Sequence, residues 1–356
     1  MALILIEEFR RYAAVADVGT DNDDLTTQWS IDGGIALSAS GGRFGEQALQ
    51  VQATGRQELI RLGSGAVSGS TLIVGFALKW SGSQSGNVVS RTNLLICRTS
   101  AASNHWTVQI GNGGTIYILN SSDTIVQAYP MAIQSDCWHY IEIKVSMLDS
   151  GSFNLKVDGE LVVNALSGDF RSGTGNTSNI EQLSFRGNEN NTYISDIIVM
   201  DGSGATFNDY KGDMRYECAV PDADGGTLQW TASAGSNFQC IDDALGAYND
   251  DTDYISEATT DDINLASHGT ISATNATTIH FAALFALARS DTTGDKIALV
   301  AKSGAATGTG PDIALAGTTS TAYRWKKGYF ETDPNTSSAW TVSNINAAEW
   351  GCKKRV

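Results

Sequence analysis

The sequence predicts an all-β chain folded as two β-sandwich domains, and three observations carry that expectation. Hydrophobic residues make up 42% of the chain and charged residues 17%, with 37 glycines, a profile of short strands joined by polar turns rather than of long solvated helices. Alternating and short continuous apolar runs recur from end to end, bounded by Gly, Asn and Asp clusters. At 356 residues the chain exceeds the size at which one hydrophobic core stops growing, so it divides. Its four prolines are few, and the turns therefore rely on residues that tolerate positive φ.

In chain order, the apolar opening Met1-Ala-Leu-Ile-Leu-Ile6 is followed at once by Glu7 and Glu8. Without a basic leader or a small-residue cleavage site, it predicts a first strand rather than a signal peptide. Strands follow over residues 48–54, 71–80, 93–98, 106–110, 115–120, 138–147, 153–158, 160–164, 180–186 and 193–201. Phe153, Leu155 and Val157 alternate with Asn154, Lys156 and Asp158, and Asp158-Gly159 then predicts a two-residue hairpin turn. Past Met200-Asp-Gly-Ser-Gly204 the pattern loosens into a polar connector, which sets the expected domains at 1–205 and 206–356. The second domain is expected to hold strands at 214–220, 227–231, 252–257, 278–288, 296–302 and 322–332, a helical turn at 344–349 and a last segment at 350–356.

A net charge of −16 opposes binding to nucleic acid or to an anionic membrane, because a polyanion meets a repulsive field over most of the surface. No apolar run approaches the ~20 residues that span a bilayer, so membrane insertion is not expected. The five cysteines, Cys97, Cys137, Cys218, Cys240 and Cys352, form no Cys-x-x-Cys pair and read as buried free thiols.

Several segments of the first two hundred residues stand in an order that resembles the laminin-G/concanavalin-like modules of tailed-phage structural proteins. They are Ile6-Glu-Glu-Phe9, Gly41-Gly-Arg-Phe-Gly-Glu-Gln-Ala-Leu49, Thr71-Leu-Ile-Val-Gly-Phe-Ala-Leu-Lys-Trp80, Cys137-Trp-His-Tyr-Ile-Glu-Ile-Lys-Val145, Phe153-Asn-Leu-Lys-Val-Asp-Gly-Glu-Leu-Val162 and Ile194-Ser-Asp-Ile-Ile-Val-Met-Asp201. Farther on, Tyr210-Lys-Gly-Asp-Met-Arg-Tyr216, Asp251-Thr-Asp-Tyr254 and Phe330-Glu-Thr-Asp-Pro334 are similar to segments that accompany this module. The resemblance implies a jelly-roll first domain. It also implies a virion structural protein without enzymatic activity, tail- or baseplate-associated, whose partners are other virion proteins, copies of itself and a host-surface glycan. A capsid decoration protein is the alternative, and a glycoside hydrolase a further one.

The candidate sites follow from residue chemistry. Asp21, Asp23 and Asp24, and Asp250, Asp251 and Asp253, lie in two acidic loops that could present carboxylates to Ca²⁺, although neither has the order of an EF-hand loop and solvated turns use the same residues. Trp325, Trp340 and Tyr248 sit near polar stretches as candidate sugar-stacking aromatics. Leu3, Ile4 and Leu5, and the basic tail Lys353, Lys354 and Arg355, are candidate contacts to neighbouring subunits, the tail acting against an otherwise acidic protein. No catalytic residues are assigned. Glu331-Thr-Asp333 lacks the second glutamate that a retaining hydrolase would need, His105, His139, His268 and His280 show no metal-ligand spacing, and no Gly-x-Ser-x-Gly elbow occurs.

Overall fold

The structure, a computed structural model, describes residues 3–12, 29–31, 35–51, 57–62, 67, 70–81, 91–99, 103–130, 132–172, 180–187, 192–203, 206–249, 251–272, 278–315 and 323–356. Among these the chain forms two compact units, the first ending at Tyr216 and the second beginning at Glu217. Both are built of β-strands, as composition and patterning predict.

The first unit contains β1 (Leu3–Glu7), β2 (Trp29–Ile31), β3 (Ile35–Ser38), β4 (Ala48–Val51), β5 (Gln57–Arg61), β6 (Thr71–Trp80), β7 (Thr92–Arg98) and β8 (Asn104–Ile110). It continues with β9 (Ile116–Leu119), β10 (Ile125–Tyr129), β11 (Trp138–Ser146), β12 (Gly151–Val157), β13 (Glu160–Gly168), β14 (Gln182–Arg186) and β15 (Thr192–Met200). Eight strands form one sheet in the order β13-β12-β11-β6-β15-β4-β3, with β1 also paired to β15, and seven form the other in the order β10-β9-β8-β7-β14-β5-β2. All pairs are antiparallel, and alternate side chains of each sheet point inward. Phe76 of β6 meets Phe185 of β14 edge-on at 5.2 Å, and Trp106 of β8 meets Phe153 of β12 at 5.5 Å, so the two sheets pack face to face as a sandwich. Each such ring, fully buried, contributes roughly 1.5–3 kcal/mol. Asp158 and Gly159 have φ of 52° and 84°, the left-handed pair that a two-residue hairpin between β12 and β13 requires.

One strand changes partner midway. Thr192–Ile194 pair with β4, whereas Ile197–Met200 pair with β1. Between them the register of β15 on β6 breaks at a bulge where Asp196 takes φ 50°. The partner that β15 gains is the opening strand, and Leu3 and Leu5 of β1 are only 3% and 2% exposed, with Ile4 half-buried. The expectation of subunit contacts through Leu3 and Leu5 is thereby corrected: an apolar strand that completes a sheet spends its side chains on its own core.

Residues 206–216, expected in the second domain, belong to the first. Glu142 of β11 accepts hydrogen bonds from the backbone N–H groups of Lys211 and Gly212 at 2.8 and 2.9 Å, and the Tyr216 hydroxyl donates to the Ile197 carbonyl at 2.8 Å. This segment lies along the outer face of the eight-stranded sheet, with the Lys156 ammonium 4.3 Å from the Tyr210 ring centroid.

The second unit holds β16 (Pro221–Leu228), β17 (Thr231–Ala232), β18 (Ile255–Ser256), β19 (Ile263–His268), β20 (Ala282–Ala288), β21 (Lys296–Ser303), β22 (Ala306–Thr309), β23 (Ile313–Ala314), β24 (Arg324–Phe330), α1 (Val342–Ala347) and β25 (Glu349–Arg355). Its six-stranded sheet runs β16-β19-β25-β21-β22, with β23 also on β21, and β20-β24 form a separate ribbon. Leu284, Ala286 and Ala288 of the ribbon pack on Ile297 and Leu299 of the sheet, giving two layers around a small core. Trp340 lies at 3% exposure in a second cluster with Ala301, Phe330, Ile345 and Ala348, its indole N–H donating to the Phe330 carbonyl at 2.9 Å and its ring 5.3 Å from Trp350. It is a packing residue, not a sugar contact, because both its ring and its polar atom are already used.

The basic tail is also absorbed by the fold. β25 lies between β19 and β21, and its cations meet carboxylates of the same unit: Lys353 with Asp261 at 3.0 Å, Lys354 with Asp295 at 2.9 Å, and Arg355 with Asp312 at 2.7 Å and Asp261 at 2.5 Å. These charges are thus met within the unit, with Lys354 buried and Lys353 and Arg355 partly exposed.

Candidate functional site

The outer face of the seven-stranded sheet carries an open groove of about 590 Å³, within the range of small-ligand sites. Cross-strand register builds its floor. Ile96 pairs with Thr107, Thr107 with Leu119 and Leu119 with Ile125, which sets one row across four strands. Asn93 beside Gln109, and Arg98 beside Asn104, form two further rows. Cys97, Trp106, Val108 and Ile118, next to these residues in sequence, are fully buried in the core, and strand alternation therefore turns the rows outward.

Hydrogen bonds hold the polar side chains of the groove in place. Gln109 Nε2 donates to Asn93 Oδ1 at 2.9 Å, Arg98 Nε donates to Asn104 Oδ1 at 3.0 Å, and Asn104 Nδ2 donates to Asp123 Oδ1 at 3.0 Å. At one end the Arg91 guanidinium lies 5.2 Å from the centroid of the Tyr117 ring. Two atoms in the floor, Thr107 Oγ1 and Gln109 Oε1, are buried yet meet no hydrogen-bonding group among the described residues. A buried polar atom left in that state costs about 1–3 kcal/mol.

Burial lowers the pKa of Arg98, with Asp123 opposing the shift, and burial together with the charge of Arg98 lowers that of Arg186. Neither guanidinium loses its proton. Among the described residues of the lining, Asp123 is the single carboxylate and none is a histidine or cysteine. The arrangement supplies fixed donors and acceptors and one exposed apolar side chain, Ile125, over the buried Ile96 and Leu119.

The residues singled out in the sequence lie elsewhere. Tyr248 and Trp325 do come together, edge-on at 4.9 Å and both half-buried, in the second unit. Asp251 accepts the Tyr323 hydroxyl at 3.0 Å and pairs with Arg289 at 3.1 Å, so this carboxylate serves a guanidinium and a phenol. Asp253 is half-buried, and Asp21, Asp23, Asp24 and Asp250 lie outside the described residues. Among the described residues no three His, Cys, Asp or Glu side chains converge as a metal site. Of the cysteines, Cys97 and Cys240 are buried, Cys218 and Cys352 half-buried and Cys137 exposed, all as free thiols. Cys137 thus departs from the expected burial because it lies in the bend just before β11. His105 is buried and accepts the Ser172 N–H at 2.9 Å, and His139 sits 2.7 Å from Asp158, both in structural roles. The groove residues themselves went unassigned, although Thr107 and Gln109 alternate with Trp106, Val108 and Ile110 in a strand that the sequence does predict.

No family model matches the chain, and no curated protein matches it. Among solved structures, similarity is found to a sialidase of Trypanosoma rangeli (9% identity, TM-score 0.35, covering 47% of this chain and 27% of the sialidase). An endo-β-1,4-glucuronan lyase of Trichoderma reesei is similar at 13% identity and TM-score 0.39, over 59% of this chain and 99% of the lyase. A carbohydrate esterase from the Shiga toxin-encoding bacteriophage phi24B is similar at 13% identity and TM-score 0.35, over 49% of this chain and 90% of the esterase. The chain therefore spans about a quarter of the sialidase's length, and likenesses this distant do not bear on activity or ligand.

Proposed function

We propose that the chain is a virion structural protein of a tailed bacteriophage, tail- or baseplate-associated and without enzymatic activity, which contributes to host attachment by holding a surface glycan in the groove of its first unit. The groove carries this reading: an open trough on a rigid sheet, with amides and a hydroxyl fixed in its floor and with Thr107 Oγ1 and Gln109 Oε1 unmet by the described residues. Among the described lining residues Asp123 is the single carboxylate, where glycoside hydrolysis uses two carboxyl groups flanking the bond. Phage membership rests on the ordered strand motifs of the first two hundred residues.

Binding of the full chain to a panel of bacterial surface oligosaccharides tests the proposal. A ligand found in this way should lose about tenfold or more in affinity, roughly 1.4 kcal/mol, on Gln109→Ala or Thr107→Val, in chains whose circular dichroism shows them folded. A blank panel would refute glycan attachment, and release of reducing ends would refute the non-enzymatic part. Quantitative mass spectrometry of purified virions separates a tail component, present in a few to dozens of copies, from a capsid decoration protein, present in hundreds.

A further inference from the structure

We infer that the chain pairs with a second copy of itself through the edge of β20, the two β20 strands lying antiparallel across a twofold axis. This surface lies in the second unit and is independent of the groove. Among the described strands β20 pairs with β24 alone, over its full length and without a bulge. All seven of its residues are half-buried, including Leu284, Ala286 and Ala288, which pack on the sheet beneath. Sheet edges are normally blunted by charge, proline, bulges or shortness, because their unpaired N–H and C=O groups recruit other strands. The other described edges of this unit are blunted in those ways. β16 begins at Pro221, carries Asp222 and Asp224 and breaks register twice. β17, β18, β22 and β23 have two to four residues each, and β24 carries Arg324, Lys326 and Lys327. The strand Ala-Ala-Leu-Phe-Ala-Leu-Ala of β20 has none of these guards.

The sequence of the strand argues for its own copy as the occupant. Set antiparallel to itself and centred on Phe285, β20 places Leu284 opposite Ala286, Leu287 opposite Ala283, Ala282 opposite Ala288, and Phe285 opposite its equivalent. Every leucine then meets an alanine, so the two strands interlock in size, and the central rings form a cross-strand aromatic pair of the kind that stabilises sheets. No charge faces its like across the seam, although the chain carries a net −16. Pairing of this self-complementary kind closes at two copies. The outer edges of the joined ribbon are then both β24, whose charged residues oppose a further strand.

A strand pair of this length is a small interface, and dissociation in the micromolar range is expected. Sedimentation velocity of the full chain from about 1 µM to about 0.1 mM should therefore show a dimer whose share rises with concentration. Amide hydrogen exchange at residues 282–288 of the unaltered chain should slow over the same range. Ala283→Lys sets an ammonium against Leu287 of the other copy and should raise the dissociation constant about tenfold or more. Adding Leu287→Glu to A283K sets a carboxylate against that ammonium across each rung and should restore pairing, since four strand positions keep the two residues apart within one chain. Leu287→Lys carries the same reading as A283K if that variant lowers the yield of folded protein. A chain that stays monomeric throughout would overturn the inference and leave the edge to a strand of another protein. So would a dimer that leaves exchange at 282–288 unchanged, one that folded A283K and L287K chains still form equally well, or a folded double variant that stays dissociated.

Discussion

Replacing Asp196 by Asn should stabilise the first unit at neutral and alkaline pH and do almost nothing in acid. Asp196 occupies the bulge at which β15 changes partner, is 5% exposed and takes φ 50°. Its carboxyl accepts the Tyr216 N–H at 3.3 Å and the Ser195 hydroxyl at 3.2 Å. Burial raises its pKa from 3.8 to about 6; the negative charge of Glu46 acts in the same direction, and the Tyr216 and Ser195 hydrogen bonds and Arg43 oppose it. An acid whose pKa is higher folded than unfolded binds more protons in the folded state. Stability therefore falls as pH rises from about 4 to about 6, and the full cost remains above that window. At about 1.4 kcal/mol per pH unit the rise amounts to about 3 kcal/mol. Asn keeps an acceptor for Tyr216 N–H and tolerates the left-handed backbone, so D196N removes the charge and little else. For a unit of this size about 3 kcal/mol corresponds to roughly 6–12 °C in Tm. Thermal unfolding followed by circular dichroism at pH 8 and pH 4 should show that gain at pH 8 and near coincidence with the parent at pH 4. Loss of stability at pH 8, where the carboxylate is ionised, would refute the reasoning, since it would make that charge a needed partner instead of a costly one.

Two further outcomes follow from the second unit. Trp340→Ala should lower its unfolding free energy by about 3–5 kcal/mol and leave glycan affinity untouched, because the ring and its N–H are spent on Trp350 and Phe330; lost binding in a folded W340A chain would contradict the placement. Lys354→Met should cost about 1–3 kcal/mol by leaving the partly buried Asp295 without its cation, and Asp295→Asn in the same chain should restore part of it, a recovery readable in a double-mutant cycle of denaturant midpoints.

What the sequence discloses and what it withholds divide along the range of the interactions concerned. β6 and β12 are legible because their signals are local: a continuous apolar run in one, strict alternation in the other, and an Asp-Gly turn whose left-handed geometry only such residues accept easily. β16 is not, since Pro221-Asp-Ala-Asp-Gly-Gly226 has the composition of a turn. It becomes a strand because it lies at a sheet edge, where proline and glycine are tolerated, and because at Gly225 a Cβ would come within 2.7 Å of the Leu265 carbonyl oxygen. α1 was placed two residues late, since its start is set by Thr341, whose hydroxyl accepts the Asn344 N–H at 3.1 Å.

Charge and aromaticity mislead for a related reason. A run such as Lys353-Lys-Arg355 announces its sign but not its partners, and Asp261, Asp295 and Asp312 reach it only when β25 settles between β19 and β21. The groove depends on the same kind of distant pairing. Thr107 is an ordinary strand residue until Ile96 lies on one side of it and Leu119 on the other, and Arg98 meets Asn104 only when β7 pairs with β8. Once that register is known, the polar half of each alternating strand can be assigned to a face, and the reading of function moves from isolated tryptophans to a row of modest side chains that no single segment contains.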